Sequence, residues 1–314
     1  MQGFETIINS ILTLGLAMLI GFTCVKTGYL KAEIKDSISK IIIRVTLPLL
    51  MITSLTKLTL DHSKVVNSII TVIAAYIIIG VLYFAGVLCA KLFKLEKTKA
   101  AIHICMTCFG NVVFIAYPLI QALYGDEGLL YAALFAFAND CWLWTVGVYT
   151  MSKVKGAGGS FTANLKRLIT PATVGFLISL FMLVTGLRFT GIIKDVLTNV
   201  GGITTYLSML FIGMTLAMVD FRHIYKRISL FALTAVKMLI IPALLVLALR
   251  YVPIDPLVKA VLVLQTGIPT STVLVILTTD YGCDTVYSAE GVFITTLLSI
   301  GTLPLIYRLM QIML

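Results

Sequence analysis

The chain has 314 residues, 59% of them hydrophobic and only 12% charged, with mean hydropathy +1.04 and a formal charge of +10. A soluble domain carries roughly 25% charged residues, so a single water-facing core is excluded and lipid is the solvent that makes this composition workable. Apolar runs continue to Leu314, which argues against a secretory signal ahead of a soluble domain. The basic residues cluster between those runs instead of forming the aromatic-interleaved face of a nucleic-acid binder.

A membrane-spanning helix needs about 20 largely apolar residues to cross about 30 Å of hydrocarbon. In chain order, spans are predicted near 6–25, 35–55, 66–90, 100–123 and 129–151, then near 170–187, 194–218, 228–250, 257–279 and 288–311. No segment alternates with strand period, so helices are the spanning element. Loops 1–2, 3–4, 5–6, 7–8 and 9–10 hold 15 of the 24 Lys and Arg residues, against seven on the side that carries both termini. The positive-inside bias therefore puts both termini outside the cytoplasm, in an inner or plasma membrane. Loop 9–10, with Asp280, Asp284 and Glu290 and no basic residue, runs against that bias. The longest break, Ser152 to Ile169, contains Gly156-Ala157-Gly158-Gly159-Ser160 and reads as a linker. Three parts follow: a first five-helix repeat at 1–151, a cytoplasmic linker at 152–169, and a second, inverted repeat at 170–314.

The repeat rests on spacing. Gly110 is followed after 13 residues by Tyr124-Gly125, and Gly267 after 13 residues by Tyr281-Gly282, an offset of 157 residues. Both pairs fall in the fourth span of their half, and those spans carry Pro118 and Pro269. An odd number of spans per half makes the second copy enter from the opposite side, which is a secondary-transporter architecture with a site near the midplane. Proline removes a backbone donor and clashes with the carbonyl one turn back. In lipid such a break survives only against protein or a water-filled cavity. Two breaks at matching positions therefore point to a binding site, where half-helix N-termini offer partial positive charge to an anion. Pro48, Pro242 and Pro304 are expected to be simple kinks.

Polar groups inside the spans are candidates by default, because an ionisable group in hydrocarbon costs a few kcal/mol or more. Asn111 has an amide suited to a carboxylate, with helix–helix bonding as its other reading. Asn139 and Asp140 lie mid-span, and Asp140 reads either as a coupling or gating carboxylate or as one permanently satisfied by neighbouring donors. Lys237 is a partner for Asp140, an attractor for the anion, or a snorkelling side chain. Thr270, Ser271 and Thr272 follow Pro269 and read as ligands for a carboxylate or Na⁺, or as hydroxyls bonded back to helix carbonyls. Gln265 is a weaker candidate, and Arg44 reads as snorkelling. His103, Cys105 and Cys108 do not share one helix face, so no metal site is expected. Six cysteines in or beside apolar runs read as small core residues. No phosphate-binding loop or nucleophile elbow occurs, so neither an enzyme nor an ATP-driven pump is expected.

The run Gly110-Asn111-Val112-Val113-Phe114-Ile115-Ala116-Tyr117-Pro118-Leu119, the run Gly267-Ile268-Pro269-Thr270-Ser271-Thr272 leading to Tyr281-Gly282, and Leu47-Pro48-Leu49-Leu50 resemble the motifs of the auxin efflux carrier family. The bacterial members of that family resemble the plant PIN-type carriers. The resemblance covers nearly the whole chain in helix count and order. It implies an all-α membrane protein of ten transmembrane helices, built as two inverted five-helix repeats whose broken fourth and ninth helices cross near the centre. It also implies transport of carboxylates such as malate or malonate. The long cytoplasmic loop of the plant carriers shrinks here to the Gly-rich linker, so auxin is not the expected substrate.

The reading is thus a secondary carrier for small organic anions, working by alternating access around a midplane site. Expected substrate contacts are Asn111, Pro118, Gly267, Pro269, Thr270, Ser271 and Thr272, with Asn139, Asp140 and Lys237 in coupling or gating. No cofactor is expected; H⁺ coupling, Na⁺ coupling and uniport are all open. The expected partners are the organic anion, the lipid bilayer and a second copy in a homodimer, with no nucleic acid. The alternative is a membrane receptor or sensor that binds a small anion without moving it.

Overall fold

The computed structural model describes residues 2–31, 33–155, 168–218 and 227–314. Most of the 152–169 linker, and Arg222 and Lys226 from the charge count, lie outside these residues. Among the described residues the chain is helical, with one isolated backbone bridge and no strand. In chain order the helices are α1 (Gln2–Lys26), α2 (Ile34–Leu55), α3 (His62–Leu92), α4 (Lys97–Cys108), α5 (112–124) and α6 (126–155). They continue with α7 (Pro171–Thr185), α8 (Gly191–Ala217), α9 (Ile228–Leu249), α10 (Pro256–Gly267), α11 (Val273–Asp280) and α12 (Thr285–Met313). The turn between α5 and α6 is Gly125 at φ 64°, ψ −153°, a conformation that costs a residue with a side chain dearly.

By length and hydropathy, six described helical stretches can cross a membrane: α2, α3, the bent Val112–Val154, α8, α9 and α12. Leu12–Lys26, α7 and α10 are apolar but shorter. The surface agrees with a lipid solvent. On α3, Ile69, Ile73, Ile77 and Val81 recur every fourth residue and all are exposed, followed by exposed Phe84 and Leu88. A stripe of that size on a water-facing helix would be a strong association hazard; against acyl chains it is neutral.

Three prolines share one local solution. Pro48, Pro118 and Pro242 each lie two residues after a π-helical turn, at Ile42–Thr46, Val112–Ala116 and Val236–Ile240. The wider turn shifts the carbonyls that proline can neither reach nor tolerate, so the helix continues past the missing donor. Pro304 sits inside α12 without such a turn.

The chain divides into two compact units, Met1–Ile69 with Val113–Leu134 and Ile169–Met218, and Ile70–Val112 with Phe135–Leu168 and Val219–Leu314. Each unit draws on both halves of the sequence. In the first, glycine lets backbones touch. A Cβ on Gly213 of α8 would collide with the Met18 carbonyl of α1, and one on Gly21 of α1 with the Leu210 carbonyl of α8. Gly201 of α8 lies against the backbone of Leu50, and Gly175 of α7 against Pro48. This is the small-residue packing by which membrane helices gain dispersion contact without help from water.

In the second unit, α12 packs against α4, α9, α10 and α11. Gly291 admits the Met106 thioether, Gly86 of α3 brings a backbone approach to Ile104 of α4, and Gly147 makes room for the Phe109 ring. Tyr287, Thr295, Thr296 and Ser299 of α12 are all buried there, so the unit has a polar interior within an apolar shell.

Candidate functional site

Two helical segments of the second unit are interrupted. One loses helical geometry between Cys108 and Val112, the other between Gly267 and Val273. The breaks meet: the Asn111 N–H donates to the Pro269 carbonyl at 2.8 Å, the Ser271 N–H donates to the Phe109 carbonyl at 3.1 Å, and Gly110 pairs with Thr270 in antiparallel register. Each break thus satisfies backbone groups that the other freed. Gly110 is required by this approach, since a Cβ there would lie 2.5 Å from the Ile268 side chain.

Three of the last four carbonyls of α4 have named partners. Cys105 O accepts from the Phe109 N–H at 2.9 Å, Met106 O from the Thr270 hydroxyl at 2.9 Å, and Thr107 O from the Lys237 ammonium at 2.8 Å. These are groups a helix end leaves without internal partners, and in an apolar surround each needs one. The Thr270 N–H in turn donates to Thr295 Oγ1 of α12 at 3.2 Å.

This geometry separates the candidates. Thr270 is fully buried and holds the crossing together. Ser271 Oγ accepts from the Val273 N–H at 3.4 Å and so turns the chain into α11. Thr272 is half-buried at the N-cap of α11 and makes no side-chain cap bond, while the Leu274 and Val275 N–H groups donate to the Ser271 and Thr272 carbonyls at 3.2 Å each. Pro269 supplies the carbonyl that Asn111 binds, and Gly267, at the end of α10, faces the Pro242 ring. Asn111 is buried at 2% exposure, with its backbone committed to the crossing. Gln265 is likewise buried. Pro118 belongs to the first unit and lies outside the crossing; the fourth predicted span is interrupted at 109–111, ahead of this proline.

Lys237 is 1% exposed and its ammonium sits on a helix C-terminus, where the macrodipole favours a cation. The expected ion pair with Asp140 is not made. Asp140 accepts from Asn139 Nδ2 at 3.5 Å, on the helix α6, and Asn139 is itself buried. Arg44 is exposed in the π turn of α2. His103 joins a chain of side-chain bonds: its Nδ1 lies 3.0 Å from the Tyr287 hydroxyl, which lies 3.0 Å from Ser229 Oγ. Beside that chain, Arg227 Nε donates to Glu290 Oε2 at 2.7 Å. Sequence offers no marker for Thr295 or Tyr287, because their roles depend on the register of α12 against the break.

Thr270→Val tests the latch. It removes the donor to Met106 O while keeping the volume, and leaving that buried carbonyl unpaired is expected to cost about 1–3 kcal/mol. A lowered melting temperature in detergent would register it, and Thr270→Ser should restore most of the loss.

Compared with known proteins, residues 6–307 match a family model described as membrane transport protein. An uncharacterized transporter of Methanothermobacter thermautotrophicus is 25% identical over 300 residues, covering 95% of this chain and 96% of the relative. An uncharacterized transporter of Methanocaldococcus jannaschii is 22% identical over 297 residues, covering 92% and 94%. The uncharacterized transporter YfdV of Escherichia coli K12 is 23% identical over 168 residues, about half of either chain. All three carry the name transporter, so the receptor reading finds no support among them.

Proposed function

This chain belongs to the auxin efflux carrier family of membrane transport proteins, and from that premise we propose that it is a secondary carrier for a small organic anion of the malate or malonate class. The observation that carries the reading is the pairing of two helix breaks through Asn111 and Pro269 in a buried setting. Backbone leaves helical geometry at membrane depth only where it lines a site or is sealed by protein. Thr270 and Ser271 close the crossing, and in this reading the Asn111 amide and the Thr272 hydroxyl beside it are the side chains that meet the carboxylate. Partial positive charge at a helix N-terminus favours that guest over a neutral one.

The ten-span, two-repeat architecture belongs to the same proposal. It is supported by the 157-residue offset between Gly110 and Gly267, each of which stands at or beside a break. Alternating access then moves the crossing against its surroundings. In this reading Lys237, fixed to the end of α4, and Asp140, which accepts from Asn139, sense that movement and couple it to H⁺ or Na⁺.

The test is uptake of radiolabelled malate into proteoliposomes, with and without imposed pH and Na⁺ gradients. Flux above protein-free vesicles supports the carrier, and the gradient that accelerates it names the coupling ion. Saturable binding with no flux under any gradient would remove the transport reading. Lys237→Met is the companion variant: it keeps the stem's packing, removes the ammonium from Thr107 O, and is expected to leave ligand binding while slowing flux by about tenfold, as a charged bond worth about 1.5–3 kcal/mol allows.

A further inference from the structure

The first unit holds a basic cavity that shares no residue with the crossing. Its volume is about 380 Å³, and it opens between the C-terminal end of α2, with Thr53, Thr56 and Lys57, and the start of α8, with Arg188, Thr190 and Lys194. Three cations converge on this space, and only Lys57 has a carboxylate, Asp126 at 3.3 Å. Arg188 donates one N–H to the Leu58 carbonyl at 3.4 Å, which leaves most of its donor fork unused. The Lys194 side chain forms no ion pair or hydrogen bond among the described residues, and neither does that of the adjacent Asp195. Thr190 is the N-cap of α8 but makes no side-chain cap bond, so the first-turn N–H groups of this 27-residue helix also lie open beside the cavity.

Like charges gathered this way repel one another unless an anion joins them. The geometry assigns that anion: we propose that the cavity seats a phosphate group. Arg presents a planar fork and Lys a point charge, the usual pair for holding phosphate oxygens. The surroundings favour a phospholipid headgroup as the source. Leu187, Ile192 and Ile193, which flank the basic residues, are 55%, 78% and 57% exposed. The cavity lies where the apolar helices α2, α7 and α8 end, the level at which a headgroup sits above its acyl chains. A free phosphate would use the polar wall and leave this apolar rim idle.

The experiment compares the wild-type chain, the double variant Arg188→Gln with Lys194→Gln, and a control that loses equal charge elsewhere, Lys91→Gln with Lys153→Gln. Native mass spectrometry in detergent measures retention of phosphatidylglycerol against phosphatidylcholine, and melting curves at low ionic strength measure protection by inorganic phosphate. The expected result is preferential retention of phosphatidylglycerol, about tenfold weaker in the double variant and unchanged in the control. If only protection by inorganic phosphate is lost in the double variant, the phosphate site stands and its occupant is free phosphate. If the double variant is unstable without ligand, the single Lys194→Gln variant gives the same two readings. Equal retention and equal protection in wild type and variant overturn the proposal.

Discussion

Asn111→Ala is expected to abolish protection of the purified protein by malate and to lower uptake by about tenfold or more, the size of effect that loss of one well-placed amide bond to a carboxylate produces. The reason lies in how Asn111 divides its work. Its backbone N–H donates to the Pro269 carbonyl at 2.8 Å and is untouched by the substitution. The backbone pairing of the crossing therefore persists, and the melting temperature without ligand should fall by less than in Thr270→Val. Thr270→Val has the opposite signature, because there the side chain holds Met106 O and the substitution weakens the fold itself. The two variants together separate recognition from architecture. An Asn111→Ala protein that is still protected by malate would remove this amide from the site.

Gly213→Val is expected to be more damaging still, at the level of folding. A Cβ at 213 would overlap the Met18 carbonyl and approach the Phe22 nitrogen to 2.8 Å, and both are backbone atoms that cannot rotate away. Overpacking a tight contact costs about 1–3 kcal/mol where side chains can yield, and here α1 and α8 must separate as whole helices. Loss of monodisperse protein on extraction into mild detergent is the expected readout. Gly202→Val, on the same helix with open space around its Cβ position, should extract normally.

Much of the helix order was legible, because apolar length is a one-dimensional property. The predicted segments at 66–90, 194–218 and 228–250 fall on His62–Leu92, Gly191–Ala217 and Ile228–Leu249. The breaks were legible only in part. Pro269 lies in one of them, but Pro118 continues as helix because the π turn at Val112–Ala116 absorbs its missing donor. Side-chain roles were the least legible. Thr270 bonds a carbonyl 164 residues away, and Lys237 one 130 residues away. A run such as Thr270-Ser271-Thr272 reads as three equivalent hydroxyls until the facing helix end assigns each a separate job. Whether Lys237 would choose Asp140 or a carbonyl depended on the same unseen register.

The paired breaks also bear on biogenesis. During synthesis the segment around Phe109 and Asn111 enters the bilayer long before residues 268–272 exist, so its open donor and acceptor must wait in an environment that offers no substitute. The amino-terminal half is therefore a dependent fragment, mature only after its distant counterpart has been inserted. Expressed alone, residues 1–151 should be short-lived in cells, and supplying 170–314 from a separate message should extend their lifetime.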